Sequence, residues 1–422
     1  MTIKTDPEIP GPNIEARTIL RTTCCVVGGG PAGAVLALLL ARKGVAVALL
    51  EAHPDFDREF RGDTIHPSVM EIMDDLGLAD RLLGLRHTEI HGVTVQTATG
   101  PFRPADFSRL KTKFPYITMM PQKSFLEFIT EEAARYPNFR LVMNARVREL
   151  ISEDDVVRGV RYEGADGMHE VRAVLTVGAD GRGSRVRKLA GFEPVKTSPP
   201  MDVLWFKLPR REGDPEDAIG RFGRGRITIL LNRFDYWQAG YVIPKGAFPK
   251  LRHEGIEALR REYAELIPEF ADRLDHLTDW RQVSLLSVES SRCPRWYKPG
   301  LLVIGDAAHV MSPVGGVGIN YAIQDAVVAA NVLSGPLREC QQRVKNLGTR
   351  YLAAVQRQRE LPTRLIQALQ TFIQRRVLAS ALRSNQPFTP PEFVRILLRL
   401  PVLRSLPARI VGYGFWPVRV KK

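Results

Sequence analysis

Cysteine is scarce in this 422-residue chain, which carries only Cys24, Cys25, Cys293 and Cys340. Four cysteines with no CxxC or Cys/His spacing exclude a disulfide framework and a zinc-ribbon type of metal site. Adjacent Cys24 and Cys25, inside an apolar run, read as small core residues, and the overall scarcity suits a reducing, cytoplasmic compartment. The chain also lacks a GxSxG elbow and an HExxH pair, so neither a protein nucleophile nor a metal is assigned, and no residue is given a catalytic proton. Isolated His53, His66 and His309 read as structural. Residues 1–20 contain no continuous apolar segment of the signal-peptide kind. Cys24 to Ala41 is free of charge for eighteen residues, the length of a membrane span, yet Gly28, Gly29, Gly30, Pro31 and Gly33 interrupt it. A strand, a tight turn and a buried helix account for it better.

Acidic residues are missing from one end. Residues 341–422 hold 16 Lys+Arg but only Glu360 and Glu392 as acids, which matches the net charge of +14 for the whole chain. The first 340 residues are therefore balanced, and the basic character belongs to the tail. A composition of 44% hydrophobic and 25% charged residues excludes a disordered or fibrous chain, and the length predicts two or three domains.

What is present begins with a complete βαβ unit. Cys24 to Val27 reads as a buried strand, Ala34 to Arg42 as a helix and Val45 to Leu50 as a second strand ending in Glu51. Between the first strand and the helix lies Gly28-x-Gly30-x-x-Gly33, with Pro31 and Ala32 inside it. The first glycine permits a sharp exit from the strand, the second admits a pyrophosphate to the backbone, and the third brings helix and strand together. The helix N-terminus offers N–H groups to the phosphates. Glu51 is placed to accept hydrogen bonds from an adenosine ribose and disfavours a 2′-phosphate, which points to FAD or NAD rather than NADP.

Downstream, Gln122 to Arg135 reads as a helix, and residues 139–151, 156–163 and 169–178 as an antiparallel meander. From about residue 200 the character changes: 203–208, 227–231 and 236–243 read as strands, 249–264 as an amphipathic helix and 281–289 as another strand. The chain returns with a strand at 301–304 and a long helix from Ile319 to Leu333. The expected division is 22–198 and 293–345 for the two parts of a nucleotide-binding domain, 199–292 for an inserted sheet domain, and 346–422 for a basic helical region.

Two more segments carry nucleotide-site chemistry. Asp180-Gly181 follows a strand and opens a helix. Leu301 to Asn320, LLVIGDAAHVMSPVGGVGIN, places Gly305-Asp306 at a strand's C-terminal end, where α/β sheets bind ligands, and then feeds Pro313, Gly315, Gly316 and Gly318 into a helix beginning at Ile319 and Asn320. Together these three motifs resemble those of the FAD-dependent aromatic hydroxylases, the para-hydroxybenzoate hydroxylase-like class A flavoprotein monooxygenases, over about residues 22–345. The resemblance implies an α/β fold: a Rossmann-like, glutathione-reductase-like FAD domain with an inserted β-sheet substrate domain and a helical C-terminal tail. It implies that Asp306 holds the ribityl chain, that Pro313 to Asn320 lies against the flavin ring, and that Asp180 contacts FAD and transiently NAD(P)H. Arg61 matches the family arginine near the pyrophosphate, and Gln122 a position that faces FAD. The implied reaction uses NAD(P)H and O2 to hydroxylate an aromatic or lipophilic small molecule through a flavin C4a-hydroperoxide.

The substrate pocket is expected between the flavin and the aromatic strands, lined by Trp205, Trp237 and Tyr241, with Phe206, Met119 and Met120 nearby; strand alternation allows only about half of the strand positions to face it. In the tail, Leu365 to Leu382 reads as an amphipathic helix with Arg376 snorkelling from its apolar side, and Phe393 to Leu406 repeats the mixture. Packing on the main body is the favoured reading. Peripheral contact with an anionic membrane is the alternative, and nucleic-acid binding is excluded by the absence of aromatic interleaving or a recognition motif. Two other functions share these motifs: an FAD-dependent reductase of isoprenoid or lipid double bonds, and a flavin-binding membrane-surface module without turnover. A flavin halogenase is a further reading, but Tyr236 to Pro244 lacks the second tryptophan of that family's segment.

Overall fold

The computed structural model describes residues 18–57, 63–97, 100–223, 225–343, 345–383 and 405–421, together with Thr389 and Glu392. Its first layer grows from the apolar runs seen in the sequence. Strands Ile19–Val27, Val47–Leu50, Phe139–Val142, Gly167–Gly178 and Leu301–Val303 pair in parallel in the order 301–303, 167–178, 19–27, 47–50, 139–142. Strands buried on both faces need continuous apolar sequence, and Cys24, Cys25, Val26, Leu49, Leu175 and Val303 are wholly buried. The helix Pro31–Arg42 lies between the helices Gly318–Arg343 and Gln122–Ala134. Ten consecutive residues of it, Ala32 to Ala41, are buried, which is why an eighteen-residue charge-free run serves the protein's core.

The sequence expectation of one strand at 139–151 is corrected. Asn144 adopts a left-handed φ of 56° and splits the run. Phe139–Val142 joins the parallel sheet, and only Arg146–Glu153 enters the antiparallel meander with Val156–Gly164 and Gly167–Gly178.

The second layer is a seven-stranded sheet in the order 284–286, 201–209, 236–244, 226–232, 218–223, 92–97, 100–106. Its last two strands come from the segment 92–106, so residues 199–292 do not make this sheet alone. The helix expected at 249–264 is two helices, Phe248–Glu254 and Ile256–Leu266, broken at Gly255 with φ 91°. The strand expected at 281–289 is confined to Ser284–Leu286, followed by the separate strand Ser290–Arg292.

The helix begun at Gly318 runs to Arg343 through Pro336, ten residues past the expected end. The tail helix begins earlier than expected, as Thr349–Ile373, and continues through Gln374–Leu378 into Ala379–Arg383. Of the segment 393–406, all but Ser405 and Leu406 lies outside the described residues. The helix Leu406–Tyr413 follows and is docked: Arg419 forms ion pairs with Glu71 and Asp75 at 2.6 and 2.5 Å, and the Tyr413 hydroxyl donates to Glu71 at 2.7 Å. Among the described residues no helix is long and apolar enough to cross a membrane.

Candidate functional site

The parallel sheet determines where the three motifs meet. Strands 19–27, 167–178 and 301–303 are neighbours, so Val27, Gly178 and Val303 end side by side at one edge. The motifs that follow them, at Gly28, Asp180 and Gly305-Asp306, are therefore brought together by strand order, at the edge where open α/β sheets take ligands. The Ala179 N–H donates to Val27 O at 2.7 Å, and a side chain on Gly305 would meet the Ala32 methyl at 3.2 Å.

The glycines of the fingerprint divide the work as their spacing implies. Gly28 has φ 105°, and a Cβ there would lie 2.5 Å from Ala179 O. At Gly33 a Cβ would lie 1.9 Å from Gly28 O, so helix and strand approach too closely for any side chain. Gly30 is different: a Cβ there meets nothing within 4 Å. The second glycine thus opens a cradle in front of the helix that starts at Pro31, and it fits a pyrophosphate on the helix N-terminus.

Glu51 is 7% exposed and accepts from the Gly29 N–H at 2.9 Å and from His53 N at 3.1 Å. Its carboxylate therefore stands beside the fingerprint loop. Asp180 accepts from the Ser184 hydroxyl and, at 3.0 Å, from Val186 N, so its carboxyl shapes the Gly181–Gly183 turn; burial pushes its pKa above the ordinary value. Arg187, a residue that sequence reasoning passed over, joins two of the motifs. Its guanidinium donates to Arg182 O at 2.8 Å and to Ala307 O at 3.1 Å.

Beneath the Gly305-Asp306 turn lies a buried charge cluster, also missed. Asp325 accepts from Gly305 N at 3.0 Å, from His309 Nε2 at 2.6 Å and from Arg359 Nε at 2.8 Å. All three side chains are at most 1% exposed. Burial would raise the Asp325 pKa, but His309 and Arg359 outweigh it and hold the carboxyl below its ordinary value. No local signal marks this cluster: Arg359 stands among Gln356, Arg357, Gln358 and Glu360 in the sequence, and its partner Asp325 lies 34 positions away.

Pro313 leads into a turn in which Gly315 and Gly316 have φ 80° and 64°, both left-handed, before Gly318 starts the long helix. Thr64 Oγ1 donates to Gly316 O at 3.0 Å. Ile319 is partly buried against the main core, and Asn320 is fully buried, its Oδ1 accepting from Ser68. Asn320 Nδ2, Gln324 Oε1 and His66 Nε2 are buried here without a protein partner. Unmatched donors and acceptors beside a left-handed glycine turn fit the polar edge of a flavin ring. Gln122 begins its helix with its N–H on Asp63 Oδ1 at 2.9 Å, and Asp63 also pairs with Arg233 of the second sheet. Arg61 lies outside the described residues.

His66 packs with Nδ1 on Val411 O at 2.7 Å, while Nε2 faces the Gly316 backbone without reaching hydrogen-bond geometry. Burial drives its pKa down to about 4 from 6.5, against the pull of the neighbouring carbonyls. The unfolded chain therefore binds this proton first, and stability is expected to fall as pH drops from 6.5 towards 4, by at most about 3 kcal/mol. Denaturant midpoints for wild type and His66→Gln across that window check this, and parallel curves would refute it.

The substrate residues need a correction. Leu204, Phe206, Leu208, Trp237, Ala239 and Tyr241 share the sheet face that the helices 248–254 and 256–266 cover. Trp237 is wholly buried, with Nε1 on Asp214 at 2.9 Å, and the Tyr241 hydroxyl donates to Glu262 at 2.7 Å. Alternation puts Trp205 on the opposite face, with its ring over Gly240, where a Cβ would be 2.7 Å away. That face, which these helices leave open, also holds Val93, Ala218, Ile229 and Leu231; Ala218 is fully buried there, and Val93 and Leu231 pack with Phe107 and Met119. Trp237→Phe is therefore expected to cost about 1–3 kcal/mol of stability and leave KM unchanged, read by denaturation and steady-state kinetics.

Comparison with known proteins agrees with this geometry. The FAD binding domain family matches residues 21–351. The 6-methylpretetramide 4-monooxygenase of Streptomyces rimosus is 35% identical over 95% of this chain and 94% of its own length. A 12-dehydrotetracycline 5-monooxygenase/anhydrotetracycline 6-monooxygenase of Streptomyces rimosus subsp. rimosus is 28% identical over 73% of this chain and only 61% of its own. Among solved structures, the OxyS anhydrotetracycline hydroxylase of Streptomyces rimosus shares the fold at TM-score 0.74 and 22% identity, over 95% of this chain and 77% of that one. With its three motifs on one sheet edge and the family matched across most of its length, this chain belongs to the FAD binding domain family, among the para-hydroxybenzoate hydroxylase-like flavoprotein aromatic monooxygenases.

Proposed function

We propose that this FAD- and NAD(P)H-dependent monooxygenase hydroxylates a fused-ring phenolic compound of the polyketide kind. The observation that carries the substrate class is the 35% identity, spread over nearly the whole of both chains, to an enzyme named for 6-methylpretetramide. The apolar open face around Trp205, Ile229 and Leu231 supports it, since a flat polycyclic ring buries well against aliphatic and aromatic side chains.

FAD, when bound, supplies the hydride and oxygen chemistry. The residues proposed to hold it are Gly28, Gly30, Pro31, Ala32 and Gly33 at the pyrophosphate and Glu51 at the adenosine ribose. Arg61, Gln122, Asp180 and Asp306 would serve along the chain, and Pro313, Gly315, Gly316, Gly318, Ile319 and Asn320 at the ring. The backbone of the left-handed turn and the buried Asn320 amide orient the ring's polar edge, while the second sheet holds the substrate and excludes water.

The test is NAD(P)H consumption by the purified holoenzyme with 6-methylpretetramide under isotopically labelled O2. Stimulated consumption and one labelled oxygen in the product support the proposal; unstimulated consumption, or oxygen drawn from water, refutes it. A secondary reading, peripheral contact of the tail with an anionic membrane, rests on exposed Phe372 beside exposed Arg375 and Arg376 and would show as co-sedimentation with anionic vesicles.

A further inference from the structure

We propose that the C-terminal helix Leu406–Tyr413 is a wall of the substrate pocket and that Val411 sets the size of ring system admitted; the substrate half of this rests on the function proposed above. The helix lies beyond the family match, which ends at residue 351, so neither the motifs nor the family assigns it a role.

Its placement follows from small and apolar residues at close approaches. Ala408 is fully buried in one cluster with Phe107, Ile117, Met119 and Ala218, on the open-face side of the second sheet. Ile410 and Val411 pack on a second cluster, Met311, Val317, Tyr321 and Ile366, which surrounds the Gly315-Gly316 turn. Val411 touches both clusters and stands 3.7 Å from where a Gly315 side chain would begin. It therefore spans the gap between the surface that would carry the flavin ring and the surface that would carry the substrate. Both Ile410 and Val411 remain only partly buried, with apolar surface left for a ligand.

The helix is fastened at Val411 and just beyond it. Val411 O pairs with His66 Nδ1 at 2.7 Å, Tyr413 O accepts from Gln324 Nε2 at 3.1 Å, and Phe415 N donates to the Tyr321 hydroxyl at 3.1 Å. His66, Gln324 and Tyr321 belong to the two segments that frame the left-handed turn. Gly412 sits where a Cβ would be 3.3 Å from Pro67, which fixes how near the helix comes. A loosely packed tail would make none of these contacts, and a wall held this way keeps water from the turn.

The experiment uses the full-length holoenzyme with Val411→Trp and Val411→Ala. A bulky wall residue is expected to raise KM for 6-methylpretetramide roughly tenfold or more, while KM for a single-ring phenol that the wild type is first shown to oxidise changes less than about threefold. Val411→Ala is expected to increase iodide quenching of bound-flavin fluorescence about twofold, a readout that needs no substrate. FAD content should stay at the wild-type level in both, which separates a wall from a cofactor ligand. Unchanged quenching in Val411→Ala overturns the wall, and equal KM changes for the two phenols overturn the size selection. If wild type neither binds nor oxidises the tetracycle while quenching still rises in Val411→Ala, the wall stands and the substrate class falls.

Discussion

Replacing Gly30 with leucine is expected to yield a protein as stable as wild type that no longer retains FAD. Gly30 has φ −70° and ψ −179°, which any residue adopts, and a Cβ there meets no protein atom within 4 Å. A Cβ therefore meets no clash in the protein itself. The leucine does fill the space in front of the helix N-terminus, where the backbone N–H groups must approach a diphosphate directly. Affinity should fall by about a hundredfold or more, since the phosphates lose charge-assisted hydrogen bonds and meet a steric block. Flavin absorbance after desalting, with urea midpoints alongside, checks both halves. Gly33→Leu is the control: its Cβ would sit 1.9 Å from Gly28 O, so it should lose stability as well as colour. A yellow Gly30→Leu protein would remove the cradle from the account.

The second large effect is expected at Asp325. Asp325→Leu leaves the fully buried Arg359 without a counter-charge, and Arg359 Nη1 and Nη2 already have no hydrogen-bond partner. Removing one member of a buried ion pair typically costs about 3–5 kcal/mol, mostly the penalty on the charge left behind. The double variant Asp325→Leu, Arg359→Met should recover much of that stability, because two apolar groups need no solvation. It should not recover flavin binding in full, since Asp325 also anchors the Gly305 N–H next to Asp306. Stability and cofactor affinity would then separate across wild type, the single variant and the double variant. The depressed Asp325 pKa adds a sign: its contribution is present above the ordinary carboxylate range and is lost as pH falls through the folded value. Equal stability of the single and double variants would show that Arg359 is solvated after all.

Much of this was legible in the sequence, because glycine spacing and strand ends are local signals. Gly28, Gly30 and Gly33, Asp180-Gly181 and Gly305-Asp306 could each be placed at the end of a strand from nearby residues alone. Trp237 and Tyr241 could not be assigned a face, because alternation shows that strand neighbours diverge but not which side the helices cover. Sequence reading chose the covered side for two of three. Arg187, Asp325 and Arg359 escaped notice for another reason: their partners lie 120, 16 and 34 positions away, and such pairings depend on tertiary packing. The split at Asn144 shows the converse limit. A single residue in a left-handed conformation redirected a strand whose composition read as continuous.

The strand order also bears on biosynthesis. The edge that gathers the motifs is built from residues 27, 178 and 303, and Arg359 braces it from farther along the chain. A nascent polypeptide can fold local segments early, yet it has no complete nucleotide seat until Arg359 has left the ribosome. Fragments released before that point would accumulate as apoprotein, and flavin supply would act on chains that already include Arg359 rather than guide the folding of earlier segments.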